Sequence, residues 1–261
     1  MRILVTNDDG IHSDGLVALE EIARALSGDV WVVAPENDNS GVSHSLSLTR
    51  PLRMRRIDER RHAVDGTPTD CVIMATRQLL ADHRPHLILS GINLGFTVAD
   101  DVTYSGTVAG AIEGTLLGIR SIAMSQGYPP GDRAGIRYED AVRLGPGIVR
   151  AILAANLPRG TLANVNFPSP AAGPVKGVRV VRQGARDQEF LGVEQRVDAR
   201  GGAYYWLAYR PAAFTATAGT DLEAVREGYV AVTPLQLDLT DGPAMDGLAA
   251  ALGPLAWVWP R

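Results

Sequence analysis

The chain opens with "ILVTNDDG" at residues 3–10, an apolar run that leads directly into two adjacent carboxylates, Asp8 and Asp9. Asp is a poor strand residue and neighbouring negative charges repel each other, so the pair is expected to follow a strand that ends just before it. In parallel sheets, ligands bind outside the carboxyl ends of the strands. The stretch therefore indicates a parallel sheet with a ligand site at one edge.

The rest of the first half alternates strand-like and helix-like segments. Strand-like runs lie at residues 3–6, 30–34, 87–90 and 121–125. Helical patterns lie between these runs. One covers residues 16–26 and ends before Gly28, and another covers residues 108–118. A third begins after Thr67, which is the expected N-cap, with Pro68 as its first helical residue. This alternation predicts an α/β fold, a Rossmann-like doubly wound and mostly parallel sheet, over residues 1–160.

The second half changes character after residue 160. Strand-like segments at residues 162–168, 177–184, 203–210 and 229–239 are joined by Gly- and Pro-rich connections, with one short helix at 221–228. We predict a smaller C-terminal mixed, β-rich extension over residues 161–261 that serves packing and oligomerisation. Its aromatic residues Tyr204, Tyr205 and Trp206 are interpreted as core residues, with a subunit contact as the alternative.

Composition excludes several classes of protein. The chain of 261 residues is 46% hydrophobic, and no apolar run is long enough to span a bilayer, so no membrane partner is expected. No signal-peptide hydrophobic region follows Met1, and the single cysteine, Cys71, excludes an intramolecular disulfide, which together predict a cytoplasmic protein. The formal net charge of −4 argues against a nucleic-acid partner.

Three polar clusters follow predicted strands and are expected to meet at one edge of the sheet. They are residues 7–9, 37–41 and 90–93. Asp8, Asp9, Ser40 and Asn93 offer hard oxygen donors of the kind that Mg²⁺, Mn²⁺ or Ca²⁺ prefers, and a cation would offset the repulsion between the two carboxylates. Turn chemistry explains the Asp pair alone equally well, so the metal prediction depends on Ser40 and Asn93 joining it. No Cys or His cluster has zinc spacing.

A fourth element is "YSGTV", in which Ser105, Gly106 and Thr107 precede a helix of small residues. The free N–H groups at such a helix start can hold an anion, although an ordinary N-cap has the same sequence. Beside a metal site, the combination indicates phosphoryl chemistry.

Other metal and phosphate proteins fit less well. A phosphorelay receiver domain needs an acceptor Asp where this chain has Asn93, and it needs a lysine near the site. Lys176 is the only lysine and lies in a connector in the second half. Neither a Walker motif nor a dinucleotide-binding glycine motif is present. A metal-dependent nucleotide-binding regulator without turnover fits the same residues and stays the alternative.

The motifs together resemble the SurE family, the stationary-phase survival proteins that act as 5′(3′)-nucleotidases. The resemblance rests on "ILVTNDDGI", "NSGVSHSLSLTRPL", "GTPTDCV", "SGINLG", "DDVTYSGTV", "NVNFP", "YYWL" and "AVREGYVAVTPL", in family order over nearly the whole chain.

The resemblance implies a phosphatase dependent on a divalent metal, Mn²⁺ or Mg²⁺, that hydrolyses nucleoside 5′-monophosphates and in some members 3′-monophosphates and polyphosphate. It implies a homodimer or homotetramer in which a C-terminal segment is exchanged. Carried over by residue, it gives metal ligands Asp8, Asp9, Ser40 and Asn93, and phosphate contacts from Asn93, Ser105, Gly106 and Thr107.

The same resemblance makes Asp8 and Asp9 the candidate catalytic residues. Water is preferred to an aspartate as the nucleophile, because a phospho-aspartate mechanism would favour a lysine near the site. His44 is the weaker candidate for the acid that protonates the leaving ribose oxygen.

Two positions depart from the family loop, which usually continues N-x-G-x-N-x-G. Thr97 stands where the second Asn is expected, and Ala99 where a Gly is expected. Asn39 also stands where many members have a longer polar or charged residue. The departures predict an altered loop shape and substrate preference around an intact metal site.

Overall fold

A computed structural model describes residues 1–186, 191–209 and 217–253 of the chain. The strands are β1 (Arg2–Thr6), β2 (Asp29–Pro35), β3 (Met54–Arg56), β4 (Arg61–Val64), β5 (Leu87–Leu94), β6 (Arg120–Gln126), β7 (Thr161–Phe167), β8 (Val178–Val180), β9 (Leu191–Val197), β10 (Ala203–Tyr209) and β11 (Val230–Gln236). The helices are α1 (Asp14–Arg24), α2 (Pro68–Met74), α3 (Gly106–Leu116), α4 (Glu139–Ala154), α5 (Asp221–Arg226) and α6 (Gly242–Leu252).

Nine strands form one sheet in the order β3-β4-β2-β1-β5-β6-β7-β11-β8. Strand β1 pairs in parallel with β2 on one side and with β5 on the other, so the order of the strands reverses between β1 and β5. Helices α1 and α4 cover one face of the sheet and α2 covers the other. The predicted doubly wound α/β fold is therefore confirmed, and its topological switch point lies at β1 and β5, where such folds bind ligands.

Local sequence signals account for the helix starts at this edge. Ser13 caps α1 by accepting a hydrogen bond from the amide of Leu16. Thr67 caps α2 as predicted, in a capping box with Asp70, and Pro68 is the first helical residue. Strand β5 continues to Leu94, beyond its predicted end at residue 90, after an irregularity in its pairing with β6.

The second half completes the sheet through β7, β8 and β11 and adds a separate antiparallel hairpin, β9–β10. The predicted boundary near residue 160 falls in the loop before β7 and stays a prediction. The interpretation of the hairpin aromatics as core residues is wrong, because Tyr204, Tyr205 and Trp206 are all exposed. The hairpin has no second layer of this chain against it among the described residues, so its apolar residues stay in contact with solvent.

No helix among residues 1–186, 191–209 and 217–253 combines the length and the apolar character needed to cross a membrane.

Candidate active site

The predicted polar clusters meet at the switch point of the sheet. Asp8 and Asp9 follow β1, and Asn93 is the next-to-last residue of the neighbouring β5. The amide of Asn39, in the loop after β2, donates a hydrogen bond of 2.8 Å to the carbonyl of Asp8 and fixes that loop beside the pair. Ser40 follows in the same exposed loop, where its hydroxyl donates to Asp38 at 2.6 Å.

The first turn of α3 completes this arrangement from above β1. A Cβ atom built on Gly106 would lie 2.7 Å from the Cβ of Asp8, so only a glycine lets the helix approach this closely. The hydroxyl of Thr107 donates a hydrogen bond to Asp8 Oδ1. Ser105 accepts from the amide of Val108 at 3.1 Å and is thus an ordinary N-cap in this structure. Its predicted contact with phosphate, like those of Gly106 and Thr107, stays a prediction.

Asp8 is almost entirely buried, with 3% of its surface exposed. Burial is the main cause that raises the pKa of Asp8 to about 7, and the negative charge of Asp9 is the second. Hydrogen bonds from Thr107 partly offset this rise. A buried carboxylate without a cationic partner is costly, so the folded protein favours a proton or a cation at this position.

Asp9 is less buried and accepts a hydrogen bond of 3.1 Å from the amide of Leu94. Burial, followed by the charge of Asp38, raises the pKa of Asp9, while the Leu94 amide and Arg133 lower it. This carboxylate therefore joins β1 to the end of β5 and keeps one side toward the open edge of the sheet.

Asn93 is oriented by a polar network that the sequence did not reveal. Its amide nitrogen donates to the carbonyl of Gly95 at 3.0 Å and to the hydroxyl of Thr97 at 3.4 Å. The Asn93 side-chain oxygen accepts no hydrogen bond from the residues that the structure describes. Ser125 on β6 donates to the same Thr97 hydroxyl at 2.9 Å.

The motif "NVNFP" supplies the rest of this network from β7. Asn164 and Asn166 both donate to the carbonyl of Thr97, and Asn166 accepts from its amide at 2.8 Å. Paired asparagines in a strand were the signal in the sequence that a loop backbone is held there. Ala99 has a left-handed backbone conformation, with φ of 52°, and its side chain is buried among apolar residues.

Replacing Thr97 by Val is expected to lower the free energy of unfolding by about 1–3 kcal/mol, because the buried Ser125 hydroxyl loses its acceptor and cannot reach water. Urea unfolding measures the change. Thr76→Val is the matched control, since the Thr76 hydroxyl donates to the carbonyls of Val72 and Ile73, both in its own helical segment. Equal stabilities for the two variants would show that Thr97 does not support the loop.

His44, in the loop after β2, contacts α3 at Glu113. Its Nε2 is 3.0 Å from Glu113 Oε2, and Glu113 is seven residues after Gly106, which corresponds to about 10 Å of helix. The acid role of His44 stays a prediction, and this contact favours a structural one. Lys176 lies in the connector before β8, with its Nζ 6.0 Å from the ring centre of Tyr229.

The donor set suits a hard divalent cation. No group of three or more His, Cys, Asp or Glu side chains with metal-site geometry occurs in the part of the chain that the structure describes, so a site here must use neutral oxygens beside the Asp pair. The raised pKa values of Asp8 and Asp9 and the unpartnered Asn93 oxygen are the features that a cation would relieve. Asn7 Oδ1, next to the pair, is also buried with no partner among the described residues.

Comparison with known proteins gives a consistent result. The family model described as "Survival protein SurE" matches residues 3–190. A protein from Methylobacterium sp. (strain 4-46), named 5′-nucleotidase SurE, is 58% identical over 253 residues, which are 97% of this chain and 100% of that protein. One of the same name from Methylobacterium nodulans is 57% identical, with the same coverage. The crystal structure of the SurE protein from Aquifex aeolicus superposes with a TM-score of 0.82 at 43% identity, over 96% of this chain and 99% of that one.

Proposed function

This chain belongs to the SurE family, and on that premise we propose that it is a 5′-nucleotidase, a phosphatase that converts nucleoside 5′-monophosphates to nucleoside and phosphate. The observation that supports this most directly is the Asp8–Asp9 pair at the switch point, in which Asp8 is buried and the first turn of α3 packs against it. Relatives named as 5′-nucleotidases match it over their whole length. Activity on 3′-monophosphates and polyphosphate belongs to the same proposal.

The proposed cofactor is Mn²⁺ or Mg²⁺, held by Asp8, Asp9, Ser40 and Asn93. When bound, such a cation neutralises charge on the phosphoryl group and lowers the pKa of water in its vicinity. Ser40 would have to exchange its hydrogen bond to Asp38 for this role. Asp38 is exposed and loses little by the exchange.

The residues of the chain supply position and charge for a reaction whose uncatalysed rate is among the slowest known. Asn93 and the backbone of Ser105–Thr107 bind the phosphoryl oxygens, over which negative charge spreads in the transition state. Asp9 orients the attacking water and accepts its proton, because it is more accessible than Asp8. Water is the proposed nucleophile, since Lys176 lies in the connector before β8 and not beside the pair.

We further propose a homodimer or homotetramer that exchanges a C-terminal segment. The exposed hairpin presents Trp206 and Leu207, of which 57% and 72% of the surface is accessible in the single chain. Helix α6 has no buried residue at all. Apolar surface of this kind is usually covered by a partner. A cytoplasmic location is part of the proposal, and the free, buried Cys71 is consistent with it.

Phosphate release from a panel of purine and pyrimidine nucleoside monophosphates tests the proposal. We expect turnover to fall below detection after chelation and to return when Mn²⁺ or Mg²⁺ is restored, because the Asp pair alone repels a phosphate dianion. A phosphodiester of the same nucleoside serves as the control substrate and should stay intact. Metal binding without turnover on any nucleotide would favour the alternative, a nucleotide-binding regulator.

A further inference from the structure

The loop between β6 and α4, residues 127–138, lies across the candidate site. At its start, the ring of Tyr128 packs 3.3 Å from the position that a Cβ on Gly95 would take, two residues after Asn93. At its end, the Tyr138 hydroxyl lies 3.1 Å from the corresponding position on Gly15, in the first turn of α1. The loop thus joins the β5 side of the site to the α1 side, and Asp9 lies between them.

Arg133 lies midway along this loop, between Tyr128 on the β5 side and Tyr138 on the α1 side. It begins a short 3-10 turn, Arg133–Gly135, which Asp132 caps by accepting from the amide of Gly135 at 2.9 Å. Burial raises the pKa of both Asp9 and Tyr138, and the charge of Arg133 lowers the pKa of both groups. Arg133 is exposed and forms no hydrogen bond or ion pair with any residue that the structure describes.

Two other arginines, Arg186 and Arg137, have partners in the chain. Arg186 forms a two-pronged ion pair with Asp101, with N–O distances of 2.9 and 2.6 Å. Arg137, four residues further along the loop than Arg133, is exposed and donates to the carbonyl of Ile136. The guanidinium of Arg133, in contrast, donates no hydrogen bond to any residue that the structure describes.

We propose that Arg133 contacts the phosphoryl group of the substrate, supplying from the β6–α4 loop a second positive charge opposite the first turn of α3. This inference rests on the proposed nucleotidase function. A phosphate monoester approaching Asp8 and Asp9 meets two negative charges, and one divalent cation only balances them. A planar guanidinium can donate two parallel hydrogen bonds to phosphate oxygens. This interaction becomes stronger as negative charge on those oxygens increases in the transition state.

The test compares Arg133→Gln, Arg133→Lys and the matched control Arg137→Gln in the metal-loaded protein. Arg133→Gln is expected to lower kcat/KM by about 10–100-fold, with KM raised as well as kcat lowered, since the charge acts on bound substrate and on the transition state. Arg133→Lys should recover part of the loss because it restores charge without the paired donors. Arg137→Gln should stay within about twofold, as exposed loop substitutions normally do.

Titration with inorganic phosphate separates this inference from the proposed function. Arg133→Gln is expected to weaken phosphate binding at least about tenfold relative to the wild type, whether or not the wild type turns over nucleotides. Equal phosphate affinity in wild type and Arg133→Gln, or kinetics like those of Arg137→Gln, would overturn the role of Arg133 and leave the nucleotidase proposal intact. A wild type that binds phosphate through Arg133 but hydrolyses no nucleotide would defeat only the proposed function.

Discussion

Asp9→Asn is expected to lower kcat for nucleotide hydrolysis by about 10³-fold or more. The amide is a weaker ligand for a hard cation, and it cannot accept the proton of the attacking water. When its oxygen keeps the hydrogen bond from the Leu94 amide, its nitrogen takes the place of the other carboxylate oxygen. Initial rates with saturating Mn²⁺ measure the loss. Saturation with metal matters, because it separates weaker metal binding from loss of the base.

The matched control for this variant is Asp82→Asn, the same change on an exposed residue of the loop before β5, at the opposite end of the sheet. We expect normal turnover from it. Normal turnover from Asp9→Asn as well would defeat the assignment of the carboxylate pair to the chemistry.

The fold of Asp9→Asn should remain intact in the metal-free protein, and its unfolding temperature at pH 8 should equal or exceed that of the wild type. The pKa of Asp9 is raised in the folded state, so its charge costs stability once the pH rises from the unfolded-state value through the folded-state value. Replacing the carboxylate by an amide removes that cost. A lower unfolding temperature would show that the pair stabilises the fold.

The sequence predicted the first half of the fold well because its signals are local. Strand-like and helix-like segments alternate along this half, and each is recognisable from neighbouring residues. Thr67 and Pro68, for example, predict a helix start that the structure confirms. The error over Tyr204 and Trp206 has a different origin. An alternating aromatic strand looks the same whether it faces its own core or a surface that another molecule covers, and the single chain leaves it exposed.

At the site, the sequence predicted which residues follow the strands but not how they are held. Asp8 and Asn93 were found because they follow the apolar runs that form β1 and β5. Thr107 orients Asp8 from 99 residues away. Thr97, which contacts Asn93, is in turn held by Asn166 from 69 residues away. Such contacts depend on the register between strands, which composition and spacing do not specify.

Gly106→Ala is the second substitution expected to have a large effect, and it tests the contact between α3 and the Asp pair directly. The new methyl group would lie 2.7 Å from Asp8 Cβ and 3.0 Å from Asp8 Oδ2, closer than carbon atoms approach. Either the first turn of α3 or the Asp8 side chain must move, and both are buried. We expect kcat/KM to fall by about 100-fold, since displacements near 1 Å at a reacting centre have effects of this size, and the free energy of unfolding to fall by about 1–3 kcal/mol.

The control for this variant is Gly147→Ala, the same change inside helix α4, where the added methyl group meets open space. Alanine is the better helix former, so this variant should be as active as the wild type and more stable by up to about 1 kcal/mol. Chemical unfolding and initial rates on both proteins decide the matter. If Gly106→Ala behaves like Gly147→Ala, then α3 does not need its close approach to Asp8, and the phosphate contacts proposed for Ser105–Thr107 lose their structural basis.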